Sequence, residues 1–249
     1  VNVPVRVVSA QRPRDVRFHQ LHDADGARIQ YRKVCSAEGE EVSPDHIVKG
    51  WPVGEGFVTV TDEELEALDP EATDAIEIQD FVDLSEIDPL YFEKAYWLVP
   101  DKGAGKAYRL LVEAMRKAGR VAIARVVMRG KEHLVAVRAV GDALAMETML
   151  HADEVVPQAD LELAEPAPPG PREVEMAGQL IDALTTTFDP GRYPDEHRAR
   201  LLAYLEGKAE GREVVLPPKV QARRPADLAD ALQKSLEAAR RRGSEEASA

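Results

Sequence analysis

The stretch VAIARVVMRGKEHLVAVRAVGDALAMETML, residues 121–150, decides the fold. It reads as three apolar runs, Val121–Met128, Leu134–Val140 and Leu144–Leu150, parted by the turn signals Arg129-Gly130 and Gly141-Asp142. Strands joined by turns this short can only run antiparallel, so the spacing predicts a three-strand meander. Just before it, Lys106–Ala118 sets Ala107, Leu110, Leu111, Ala114, Met115 and Ala118 at helical spacing, and Gly119 ends the run.

Working outward, more short strands are expected on the N-terminal side. They fall around Val3, Val5 and Val7, at Arg17–Leu21 and Ala27–Val34 on either side of Asp25-Gly26, and at Phe57–Thr61, Ala75–Val82 and Tyr96–Pro100. Thr61 is placed to cap a short helix, with Glu64 at the capping-box position. On the C-terminal side, the Pro-rich run Glu165–Arg172 reads as a stiff linker. Three helices are expected beyond it. Glu173–Phe188 carries Val174, Ala177, Leu180, Ile181 and Leu184 on one face, and Pro194–Lys208 carries Leu201, Leu202 and Leu205. After Pro217-Pro218, Pro225–Arg242 carries Leu228, Leu232 and Leu236. Helices that follow a linker bury little alone, so their stripes need another surface, such as a second copy of the chain. The expected class is β-rich α+β, and no internal sequence repeat is visible.

Charge is sorted by position. Residues 51–100 hold 14 acidic side chains and one basic, whereas residues 101–150 hold ten basic and five acidic. The formal net charge is −13. A uniformly acidic protein repels polyanions, but a segregated basic strip can hold one. The composition, 44% hydrophobic and 31% charged, fits a soluble chain. No run approaches the ~18 apolar residues of a membrane span, and the single cysteine, Cys35, excludes an internal disulfide. No membrane partner is therefore expected, and the cytoplasm is the expected compartment.

Catalytic motifs are lacking. Gly103-Ala-Gly105-Lys106 resembles a phosphate loop, yet Pro100 stands where its first glycine is needed and Ala107 where a hydroxyl would hold Mg²⁺. His19, His22 and Cys35 fall short of a zinc ligand set, because Glu38 replaces the second sulfur of a Cys-x-x-Cys pair. The expectation is a non-enzyme with no metal and no cofactor.

Ten strings in order resemble the bacterial Ku family, the end-binding proteins of non-homologous end joining. They are Val1-Asn-Val-Pro-Val5, Phe18-His-Gln-Leu-His22, Tyr31-Arg-Lys-Val-Cys35, Ile47-Val-Lys-Gly50, Thr61-Asp-Glu-Glu-Leu65, Ile87-Asp-Pro-Leu-Tyr-Phe92, Ala122-Ile-Ala-Arg-Val126, Arg129-Gly-Lys-Glu-His-Leu134, Phe188-Asp-Pro190 and Lys208-Ala-Glu-Gly211. The resemblance implies a Ku-type β-barrel with a DNA-encircling bridge in residues 1–172. It further implies a helical dimerisation arm in 173–216 and a tail with a partner-docking helix in 217–249. Two such chains would form a ring around duplex DNA, associated with the bacterial nucleoid.

On that resemblance, Arg28, Arg32, Lys33, Lys49, Arg125, Arg129, Lys131 and Arg138 are the expected DNA contacts. Leu180, Ile181, Leu184, Leu201 and Leu205 are the expected dimer contacts. Leu228, Leu232 and Leu236 are the expected docking face for the DNA ligase of end joining, ligase D in many relatives. Family members usually carry a strand-like segment before the position of Val1, so a short N-terminal piece is expected to be missing. The rival expectation is a non-enzymatic β-barrel module that docks an acidic protein partner.

Overall fold

In the computed structural model, the structure describes residues 3–68, 75–164 and 168–212, together with Gln233, Ser235 and Glu237. The chain divides into two compact units, residues 1–161 and 162–249.

The first unit is built on a six-stranded antiparallel sheet in the order β1-β5-β8-β7-β6-β4. Its strands are β1 (Val5–Ser9), β4 (Glu77–Val82), β5 (Phe92–Pro100), β6 (Val121–Met128), β7 (Lys131–Val140) and β8 (Ala143–Met149). A separate ribbon pairs β2 (Lys49–Val53) with β3 (Gly56–Val60). The expected meander is β6-β7-β8, with Met128 opposite Lys131 and Val140 opposite Ala143, so each connection is a two-residue turn. Helix α1 (Asp62–Glu66) starts at Thr61 with both capping-box bonds formed.

Helix α2 (Gly105–Ala118) lies where the sequence places it, and Gly119, at φ +63°, closes it in the left-handed conformation. Its buried face overlaps the expected one only in part: Met115 is buried and Leu111 packs against the core, as expected. Tyr108, Val112 and Met115 enter the core, while Leu110 is 72% exposed. The stripe is turned because Tyr108 supplies both apolar area and a polar tip. Its hydroxyl donates to the Leu98 carbonyl at 2.7 Å and accepts the Leu144 N–H at 2.8 Å, which ties the helix to β5 and β8. Around it pack Leu98, Ala122, Ala124, Val126, Val135, Val137, Leu144 and Met146. The alternation of these positions along each strand defines the covered sheet face. Tyr108→Phe removes one partner from each of two buried backbone groups. It is expected to cost about 2 kcal/mol by urea unfolding, and a loss below ~0.5 kcal/mol would show the hydroxyl to be dispensable.

Four expectations are corrected. The sheet is open among the described residues: β1 and β4 are its two edges and do not pair, so no closed barrel is formed. Each edge strand holds one partner only, and the register of β4 on β6 shifts between Ile78 and Asp80. Second, the strands expected at 17–34 are single bridges, Leu21 to Arg28 and Val34 to Glu41, around two similar turns. In those turns Gly26 and Gly39 donate to the carbonyls of His22 and Cys35, each at 2.8 Å. A strand pair with no covered face is marginal, and Phe18, Tyr31 and Val34 are exposed here. Third, no strand was expected at 49–53, where β2 forms with Gly50 and Pro52 inside it. Fourth, residues 168–172 are not all linker, since Pro171 opens a helix.

In the second unit, α3 (Pro171–Leu184) and α4 (Glu196–Ala209) carry the two expected arm helices. Asp195 caps α4 through the Arg198 N–H at 2.9 Å. The stripe of α3 is uncovered, with Ile181 66% and Leu184 53% exposed, while Leu180, Leu201 and Leu205 are half-buried. Phe188 and Tyr193 stack with centroids 6.0 Å apart. The expected third helix, with Leu228, Leu232 and Leu236, lies outside the described residues, apart from Gln233, Ser235 and Glu237, which are helical.

Candidate nucleic-acid interface

Strand register sorts the cations of the meander. Lys131 lies on the face that packs against α2, because it alternates with Val135 and Val137. Arg125 and Arg138 lie on the opposite face, where Arg125 is opposite Leu134 and Arg138 opposite Ala145. Arg129 sits at the tip of the β6–β7 turn.

That tip is strained. Arg129 has φ +54° and Gly130 φ +75°, the paired left-handed conformation of a tight hairpin turn. A left-handed backbone costs an ordinary L-residue roughly 1–2 kcal/mol. Asparagine or glycine would adopt it more cheaply, yet the chain holds an arginine there, next to Lys131. Beside Lys131 lies a cleft of about 320 Å³ lined in part by Glu93, Lys94, His133, Thr148 and His151. The Lys94 ammonium, 3.3 Å away, holds the Glu93 carboxyl below its usual range, and the Thr148 hydroxyl adds to the effect.

The eight expected contacts fall into two groups. Arg32 pairs with Glu41 at 3.1 Å, Lys49 with Asp62 at 2.8 Å and Arg125 with Glu132 at 2.6 Å. Arg138 donates from Nε and Nη2 to one oxygen of Glu147, at 3.1 and 2.8 Å. The Glu147 side chain is only 11% exposed, and its Oε2 is the one buried side-chain N or O atom among the described residues with no hydrogen-bond partner. Arg138 therefore offsets a buried negative charge. Arg28, Lys33, Arg129 and Lys131 are exposed and make no ion pair among the described residues.

Other cations, outside the expected contact set, have the same property. Arg12, Arg14 and Arg17 stand exposed on the extended stretch that follows β1, and Lys102, Lys106 and Arg109 at the start of α2. The run Arg12-Pro-Arg14-Asp-Val-Arg17 was the available signal, with one carboxylate for three guanidinia. By contrast, Arg116 pairs with Glu113 and Arg120 with Asp83. The Asp83 carboxyl sits below its usual range, chiefly because the Ser85 N–H and hydroxyl donate to it. Cys35 is likewise lowered as a thiol, by the N–H groups of Ala37 and Glu38 in its turn. No three His, Cys, Asp or Glu side chains converge as a metal site among the described residues. None of the described helices is long and apolar enough to cross a membrane.

The family model described as the Ku70/Ku80 beta-barrel domain matches residues 1–176. The chain belongs to the Ku family. It is 56% identical over 248 residues to the non-homologous end joining protein Ku of Anaeromyxobacter sp. (strain K), covering 98% of this chain and 84% of that one. Its likeness to the protein of that name from Heliobacterium modesticaldum is 42% over 240 residues, 95% of this chain and 87% of the relative. For Bacillus subtilis it is 38% over 246 residues, covering 97% and 79%. The open six-stranded sheet with α2 on one face is thus the Ku beta-barrel-type domain of this chain, and the strained Arg129 tip belongs to that domain.

Proposed function

We propose that this Ku-family chain binds ends of double-stranded DNA without sequence preference and serves non-homologous end joining. The observation that carries the reading is the end-to-end similarity to proteins named for that process. The unpaired cations support it, because arginine and lysine that are free of carboxylates bind phosphates by releasing counterions, and phosphates carry no sequence information. Arg28, Lys33, Arg129 and Lys131 lead the contact set. Arg32, Lys49 and Arg125 contribute less, since each must first leave an acidic partner, and Arg138 contributes least. The chain acts without catalysis of its own.

The active form in this reading is a homodimeric ring that is threaded by a DNA end. Residues 1–172 form its body and bridge, and residues 173–216 the arm. The uncovered Ile181 and Leu184 support a dimer seam on the arm, together with Leu180, Leu201 and Leu205. The tail, 217–249, is proposed to recruit the end-joining ligase through Leu228, Leu232 and Leu236.

Four contacting cations per protomer, Arg28, Lys33, Arg129 and Lys131, give about eight phosphate contacts per dimer. The slope of log affinity against log salt is then expected near −7, at roughly 0.9 per contact. It should be the same for duplexes of unrelated sequence. Titration of blunt duplexes over a salt series measures it, and a slope shallower than about −3, or one that varies with sequence, would count against the reading.

A further inference from the structure

We propose that Arg129 enters the minor groove of duplex DNA from the tip of the β6–β7 turn. The contact rests on the DNA-binding function proposed above and specifies where on the duplex this turn sits. Met128 and Lys131 form the last pair of the two strands, so only Arg129 and Gly130 lie beyond it. Gly130 carries no side chain, and the hairpin therefore tapers to a single guanidinium. Both residues are exposed, at φ +54° and +75°. Arg129 is the one non-glycine residue among those described that has a positive φ. Its cation makes no ion pair among the described residues. The two strands lie inside the sheet, with β4 and β8 as their outer neighbours, so the exposure of the tip depends on neither sheet edge. A cation meant only for a phosphate needs no such backbone. Lys131, in regular β7, is as well placed for that. The left-handed pair instead fixes the base of one long side chain at the outermost point of a tight turn.

The chemistry of the duplex selects the groove. A minor groove about 6 Å wide admits one side chain on a narrow tip, but not a helix or a ribbon. Each base pair shows a distinct pattern in the major groove, so an arginine there would impose a sequence preference. The minor-groove floor offers acceptors at every pair, and only the guanine amino group differs. Insertion there agrees with binding that has no sequence preference. The groove also concentrates negative potential between its two phosphate rows, which attracts a guanidinium. Arginine is more weakly hydrated than lysine and loses less on leaving water. From the groove its charge still displaces counterions from both strands, while Lys131 holds the phosphate row beside the tip.

The test uses the full chain and a fluorescein-labelled blunt duplex of A·T pairs, titrated by anisotropy with and without saturating distamycin. Distamycin fills the minor-groove floor of A·T pairs and leaves the phosphates exposed. Arg129→Asn, Arg129→Lys and Lys131→Gln are compared with the unsubstituted chain. On the bare duplex, binding is expected to weaken about tenfold in Arg129→Asn and about fivefold in Arg129→Lys. With distamycin bound, both Arg129 ratios should fall below about twofold, while the Lys131→Gln ratio stays as it was. Arg129→Asn should also raise the melting midpoint by about 2–4 °C, because asparagine accepts the left-handed backbone. Arg129→Lys equal to the unsubstituted chain would make the contact one of charge alone. Ratios unmoved by distamycin would place Arg129 outside the groove. Collapse of the Lys131→Gln ratio as well would mean that the drug displaces the whole turn, and an unchanged or lower midpoint would remove the strain. Each of these results overturns the proposal and leaves the DNA reading standing. Failure of the unsubstituted chain to bind the bare duplex sinks both.

Discussion

Arg129→Glu combined with Lys131→Glu is expected to weaken binding to linear duplex on the order of 10³-fold near 0.1 M salt. Both side chains are exposed and free of carboxylates, so both are available to phosphate without first breaking an ion pair. In the proposed homodimer, two lost contacts per protomer make four, and the salt slope should flatten by about 3 to 4. Every duplex sequence should suffer alike. Arg125→Glu serves as the internal comparison. That guanidinium is already 2.6 Å from Glu132, so reversing it is expected to cost less than the turn pair. If Arg125→Glu were as damaging as the double turn variant, carboxylate pairing would not be what ranks these cations, and the contact assignment would fail.

The second large effect is on stability. Arg138→Met is expected to cost about 2–4 kcal/mol of unfolding free energy, read by urea denaturation. The Glu147 carboxylate would stay nine-tenths buried with no cation beside it, and one of its oxygens already lacks a donor. The upper end is held down because the Arg138 side chain is itself 36% exposed, so water screens part of the pair. Adding Glu147→Gln to Arg138→Met removes the stranded charge and should recover more than half of the loss. Absence of any recovery would mean that Arg138 acts by packing its alkyl chain rather than by charge. The DNA affinity of the folded Arg138→Met protein should change far less than that of the turn variant.

The parts of this chain legible from sequence are those set by short-range chemistry. The meander could be read because Arg129-Gly130 and Gly141-Asp142 cut an apolar stretch into strands, and two-residue turns leave one way to pair them. The Thr61 cap and the Gly119 stop were equally local. What escaped depends on distant partners. The inward face of α2 was misjudged by about one residue, because Tyr108 earns its place through bonds to Leu98 and Leu144, 10 and 36 residues away. The ribbon strand β2, which was not expected, holds Gly50 and Pro52 in a two-stranded pair. The strands over-read at 17–34 have the right alternation but nothing to cover them.

The candidate interface divides along the same line. That cations gather near residues 102–138 is visible from the charge count alone. Which of them are spent on carboxylates is not, because Arg125–Glu132 and Arg138–Glu147 arise only once β6, β7 and β8 are in register. Even the left-handed backbone of Arg129 needed the turn type, which the spacing of strands fixes and residue identity does not.

Selection of DNA ends is a matter of topology, and a change of topology alone tests it. One duplex is prepared as a relaxed, covalently closed circle and as the same molecule cut once, so that length, sequence and charge are identical. Binding is followed by mobility shift at a single salt concentration with excess unrelated competitor. End selection gives strong retention on the linear form, weak retention on the circle, and recovery of strong binding when the circle is cut in the presence of protein. Equal affinity for circle and linear DNA would contradict it, leaving a phosphate-binding sheet with no means of recognising an end.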